Sequence, residues 1–381
     1  MPKPNPLLGV LLHAVGGVGA ASFYFPFTRV RHWAWETYWL VGGLMFWLVC
    51  PWVAAYCTVP GLCEILGPAP LLVKLVTLGA VWGIGNLTFG LSLRYLGMSL
   101  GMTLTLGFCM LAGTLAPPIL HGTLKELSQT ASGQIALAGI AIGAVGIALC
   151  GLAGMRKERE LTSSSTPSTV TEFHFTKGAI LAAIAGVMSA CFAFAIDAGE
   201  ELAEKAAAQG AEQVWRNGPT IALILSGGAL TNIAWCLMLN FRNRTISDYV
   251  DVTRRSFIPN YLLCFLAGAI AFSEFLFFGM GESQMGAFRF SSWSIHMSFV
   301  VVFSNLWGLV LAEWRGTGHV TRTILISGLT ILVAATVVIG YGAYLKAQSS
   351  PESDHELQPA VEALSMMQAE PMPLFDGEPP A

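Results

Sequence analysis

The stretch AIAFSEFLFFGMG, residues 269–281, holds one ionisable side chain, Glu274, among twelve residues that a lipid bilayer accepts. Runs of this kind recur along the whole chain. Of its 381 residues, 54% are hydrophobic and only 11% are charged, against roughly 25% charged in soluble domains. Mean hydropathy is +0.62. The 41 glycines and 11 tryptophans suit a polytopic membrane protein, in which glycine lets helices approach and tryptophan anchors at the interfaces.

About 20 apolar residues cross the hydrocarbon core as a helix. Ten such runs are predicted, at about 7–27, 38–58, 71–93, 98–120, 133–153, 178–197, 219–240, 259–281, 293–313 and 323–345. Each is expected to be helical, because lipid offers no partner to a backbone N–H or C=O. The first run has only Lys3 before it and is long enough to span, so it reads as a retained helix and not a leader. RYLGM (94–98) joins runs three and four as a tight hairpin.

The chain divides into a first five-helix repeat (1–153), a polar linker (154–177), a second five-helix repeat (178–346) and an acidic, Pro-rich tail (347–381) expected to be disordered. The repeats align: GVGAASFYF (17–25) matches GVMSACFAF (186–194), and Ser99, Met102, Leu111 and Gly113 match Ser294, Met297, Leu306 and Gly308. Both alignments pair run n with run n+5. Five is odd, so the second repeat enters the membrane from the opposite side, the plan of many secondary transporters, with the site at mid-depth between the repeats. Thirteen basic residues follow odd-numbered runs and six lie on the other side, with Lys74 inside a run left out. That asymmetry places both termini outside.

Glu274 lies near the centre of run eight. A charge there costs on the order of 3 kcal/mol. It reads either as a carboxyl group facing an aqueous cavity and taking up a proton, or as a hydrogen-bonded tie between helices. In VWGIGNLTFG (81–90), Trp82, Asn86 and Phe89 with Gly90 share one helix face. An amide between an aromatic ring and a glycine suits a sugar, the ring stacking on C–H faces and the amide bonding hydroxyls; the alternative is an interhelical amide bond. His13 lies on a small-residue face of run one, and His296 sits one turn after Ser292 in SSWSIHMS (291–298). Each histidine is either a proton relay or a hydrogen-bonding residue. The candidates for the proton are Glu274, His296 and His13, and those for the sugar are Trp82, Asn86, Phe89, Glu274, His13 and Ser292. Asp197, Glu200 and Glu201 at the end of run six read as a solvated cap, and Glu36 beside Trp33 and Trp35 as interfacial.

No CxxC pair or histidine at metal-ligand spacing accompanies the eight cysteines. No Walker loop, GxSxG, HExxH or dinucleotide turn is present, so the sequence makes no case for an enzyme, a cofactor, a metal or nucleic acid.

FYFPFTRVRHWAWETYWLVGG (23–43), VWGIGNLTFGLSLRYLGMSLGM (81–102), SSWSIHMS (291–298) and GLVLAEWRG (308–316) resemble the L-rhamnose–proton symporters of the drug/metabolite transporter superfamily. The similarity runs in order over about 7–345. It implies ten helices, proton-driven sugar import and residence in the cytoplasmic membrane; import by alternating access is the expected mechanism. Two departures stand out. FSEFLFF carries Glu274 where the family tends to show Gln, and Phe89 replaces an expected tyrosine. If the family's usual residue is an amide, its shared proton site lies elsewhere and His13 or His296 gains weight. Two alternatives keep their place beside import: a proton-coupled exporter or exchanger of small metabolites or drugs, and a non-transporting membrane sensor or scaffold.

Overall fold

A computed structural model describes residues 5–66, 69–120, 124–163, 173–252, 255–285 and 292–348. The secondary structure of the described residues is helical, with turns between the helices, and eight helices are long and apolar enough to cross a membrane. The long helices, in chain order, are α1 (Leu7–Phe27), α2 (Trp35–Thr58), α3 (Ala69–Leu96), α4 (Met98–Leu120), α5 (Ala131–Ser163), α6 (Phe175–Ala198), α7 (Gly218–Asn243), α8 (Phe257–Gln284), α9 (Ser292–Val310) and α10 (His319–Gln348). α4 and α9 hold the two shorter apolar stretches, Leu100–Ala112 and Ile295–Gly308. α5 runs on to Ser163, so the first ten residues of the polar segment expected at 154–177 continue the helix. Arg156, Lys157, Arg159 and Glu160 supply the reason: long charged side chains favour a helix as well as most residues do. Residues 164–172 of that segment, and 349–381 of the tail, lie outside the described residues.

Packing follows a repeating scheme. α1 lies against α8 and α9, and α6 lies against α3 and α4. α2 packs on α8 as α7 packs on α3, while α4 meets α9 and α5 runs along α10. Exchanging each helix with the one five places on maps these contacts onto one another. The closest crossings follow the same exchange. A Cβ on Gly79 of α3 would overlap the Ile224 carbonyl of α7, and one on Gly268 of α8 would overlap the Gly42 carbonyl of α2. Without side chains at these points the backbones touch, which is how helices gain packing energy where lipid removes the hydrophobic drive.

Polar side chains tie the two ends of the bundle. At the N-terminal end, the Asn5 backbone N–H donates to Gln284 Oε1 (3.3 Å) and Asn217 Nδ2 donates to Glu282 Oε2 (2.7 Å). At the opposite end Asn243 Nδ2 (2.9 Å) and the Thr245 hydroxyl (3.1 Å) donate to Glu36 Oε1. Glu36 is therefore buried in a network between α2 and the α7–α8 link. The neighbouring tryptophans suggested an interfacial place for it. The amide and hydroxyl that pay its desolvation lie some 200 residues further along the chain, beyond local reading.

Within α2, residues Met45–Val49 form a π-helical turn just before Pro51. Proline has no N–H to return to the ladder, and the widened turn absorbs the mismatch. Phe46 of that turn projects into the centre of the bundle.

Candidate functional site

A cavity lies at the middle of the helices, lined from both halves of the chain. Ala20 and Phe23 of α1, Phe46 of α2, Trp82, Asn86 and Phe89 of α3, and Thr105 and Cys109 of α4 face it. So do Ser189 of α6, Glu274, Phe275 and Phe278 of α8, and Trp293, His296 and Met297 of α9. Its volume is about 60 Å³ measured to water centres, room for roughly four waters.

Trp82 and Asn86 are one turn apart on α3, and Phe89 lies a turn further on, so one face of the helix presents all three. The Trp82 ring meets Phe275 at 5.4 Å, edge to face, and Phe46 at 6.1 Å. Phe89 meets Phe23 at 6.2 Å. The walls are thus aromatic, with few polar groups. Asn86 is 8% exposed, and its Oδ1 has no hydrogen-bond partner. A buried acceptor left open costs about 1–3 kcal/mol, which a ligand hydroxyl or a water would return.

Glu274 and His296 face each other, with Oε1 and Nε2 3.9 Å apart. That is too long for a direct hydrogen bond. As charged partners at an effective dielectric near 20, the two would attract by about 4 kcal/mol. The His296 side chain is 1% exposed, and that of Glu274 keeps 19%. His296 comes this close because Gly16 stands behind it: a Cβ there would lie 2.9 Å from His296 Cε1 and 3.1 Å from the Glu274 carbonyl oxygen.

His13 lies outside the cavity lining but next to it. Its ring is 5.7 Å from that of His296 and 5.6 Å from that of Phe278. It is fully buried, and neither ring nitrogen of either histidine has a hydrogen-bond partner. Ser292 is separate from this cavity. It lines a second one nearer the N-terminal end, together with Asp197, Glu282 and the outer faces of Phe278 and Trp293. Ser292 is a sugar candidate from the sequence, but it lines the second cavity and not the one that holds Glu274, Asn86 and His296.

The reading from sequence missed Phe46, Thr105, Ser189, Phe278 and Trp293. Trp293 had a usable signal, three residues before His296 and so on its face. Thr105 and Ser189 are single hydroxyls in apolar runs, which are common in any membrane helix.

Membrane-length helices around a buried, ionisable cavity define a polytopic membrane protein. The family description L-rhamnose-proton symport protein (RhaT) matches residues 4–344. The L-rhamnose-proton symporter of Cronobacter sakazakii is 36% identical over 340 residues, 88% of this chain and 97% of the relative. Those of Yersinia pestis and Yersinia pseudotuberculosis are 34% identical over 341 residues, 88% of this chain and 98% of theirs. The chain belongs to the L-rhamnose-proton symport protein family, a family of transporters and not of enzymes.

Proposed function

We propose that this protein imports L-rhamnose, or a related deoxy sugar, together with a proton. The observation that carries the reading is the shared cavity: Glu274 and His296 stand on one wall and Trp82, Asn86 and Phe89 on another. Family membership supplies the substrate and the coupling ion. Trp82 offers a ring face to sugar C–H groups, and Asn86 offers an open acceptor to a hydroxyl. Glu274 accepts the proton, His296 stands within charge contact of it, and His13 extends the line toward the N-terminal end. No cofactor is needed, since the proton gradient drives the cycle.

In this reading the protein works by alternating access. Ten helices form a five-plus-five inverted repeat, with 1–153 and 178–346 as its halves, and the exchange-related helix contacts support it. A negative carboxylate without a cation is costly to carry through the closed state. Protonation removes that charge from the loaded site. Coupled symport also requires the empty site to return, with its carboxylate hydrated in the cavity, and the proton-only and sugar-only sites to reorient slowly. Coupling then comes from the different affinities of the two states for sugar and proton. The protein resides in the cytoplasmic membrane with both termini outside, as the basic residues indicate.

The test is uptake of labelled L-rhamnose into proteoliposomes under an imposed pH gradient. Accumulation should follow the gradient and collapse with an uncoupler. Uptake indifferent to the gradient would remove the symport assignment, and outward movement alone would favour export.

A further inference from the structure

The second cavity has a volume of about 370 Å³, on the same measure that gives about 60 Å³ for the central one. Small-molecule sites occupy roughly 300–1,000 Å³. The central cavity is the narrower of the two, and the second is an open pocket with room of that order. The two share Phe278 and Trp293, whose rings meet edge to face at 5.6 Å. These rings form the partition between them.

The second cavity carries the chemistry of a sugar site. Ser292 is 1% exposed, and its hydroxyl has no hydrogen-bond partner. Trp293 Nε1 is buried and equally without one. Two orphan donors on residues that line this open pocket call for acceptors, and a sugar hydroxyl is both acceptor and donor. Asp197, exposed at the rim, can accept from two neighbouring hydroxyls. Glu282 is already held by Asn217 and serves as wall. Ala193, one helical turn before Asp197, and Ile196 next to it make an apolar flank, where the methyl group of a 6-deoxy sugar finds contact for which a hydroxymethyl group would have to be desolvated.

We infer that this cavity is a second, outer sugar subsite, built from Asp197, Ser292 and Trp293, in which a 6-deoxyhexose waits before the Phe278–Trp293 partition opens to the Glu274 chamber. The inference rests on the importer reading above. It also gives Ser292 a role that the central cavity denies it.

Equilibrium dialysis of labelled L-rhamnose against the purified full chain tests it by stoichiometry. The wild type should bind two sugars per chain. Asp197→Ala combined with Ser292→Ala should bind one, with gradient-driven uptake retained but its apparent KM raised at least fivefold. Asn86→Ala should weaken the other site roughly five- to tenfold and leave the outer one unchanged. In that background, L-rhamnose should still slow maleimide attack on Ala193→Cys, a partly exposed position on the apolar flank, read by peptide mass, at least fivefold. A single bound sugar, weakened by Asn86→Ala and untouched by the outer pair, overturns the outer subsite and leaves the importer reading standing. No bound sugar at all overturns both.

Discussion

At the scale of the residue, the site turns on one carboxyl group. Glu274→Gln keeps shape and hydrogen-bonding capacity but cannot exchange a proton. Concentrative uptake should fall at least a hundredfold, while downhill exchange of labelled for unlabelled sugar persists; retained concentration by this variant would move the proton site to a histidine. His296→Asn is the paired measurement, and a pH profile displaced relative to wild type is its expected signature. Asn86→Ala removes one neutral hydrogen bond, worth about 1–1.5 kcal/mol, so sugar affinity should weaken roughly five- to tenfold. Titration calorimetry or dialysis reads that change directly. Asn86 and Trp82 were legible because i, i+4 spacing survives any helix packing. His13 was less so: its face along α1 could be read, but its neighbour His296 is 283 positions away.

At the scale of the element, the bundle depends on backbone contact where bulk is forbidden. Gly227→Val places a branched side chain against the Val76 carbonyl of α3. Overpacking of this kind costs about 1–3 kcal/mol or more, and no flexible neighbour gives way to backbone. The variant should lose several degrees of thermal stability in detergent and bind sugar poorly, because α3 carries Trp82 and Asn86. Gly268→Val, at the exchange-related crossing with α2, should behave alike through α8 and Glu274. A neutral result at either position would show that the two helices separate without harm. The π-helical turn was not legible from Pro51 alone, since proline in a membrane helix is met by a kink, a water or a widened turn, and packing selects among them.

At the scale of the whole molecule, the cavity belongs to neither half. It takes walls from α1 to α4 and from α6, α8 and α9. Expressing 1–163 and 173–381 as separate chains together should restore sugar binding, whereas either alone should bind none; binding by one half would place the site within it. Removing 349–381 should leave gradient-driven uptake within about twofold of the full chain, as measured in the same liposomes. A larger loss would give the acidic tail a part in transport.

The sequence by itself determined that the chain is a bundle of membrane helices, because apolar runs of spanning length leave the backbone no other way to satisfy itself. It also singled out Glu274, since a lone acid in such a run is costly enough to need a reason. Only the tertiary structure decided which polar groups meet. Helix rotation and crossing bring His296 to Glu274, hold His13 just behind, and leave Ser292 beyond two aromatic rings. Those outcomes depend on glycine contacts between segments far apart in the chain, and no local pattern carries that information.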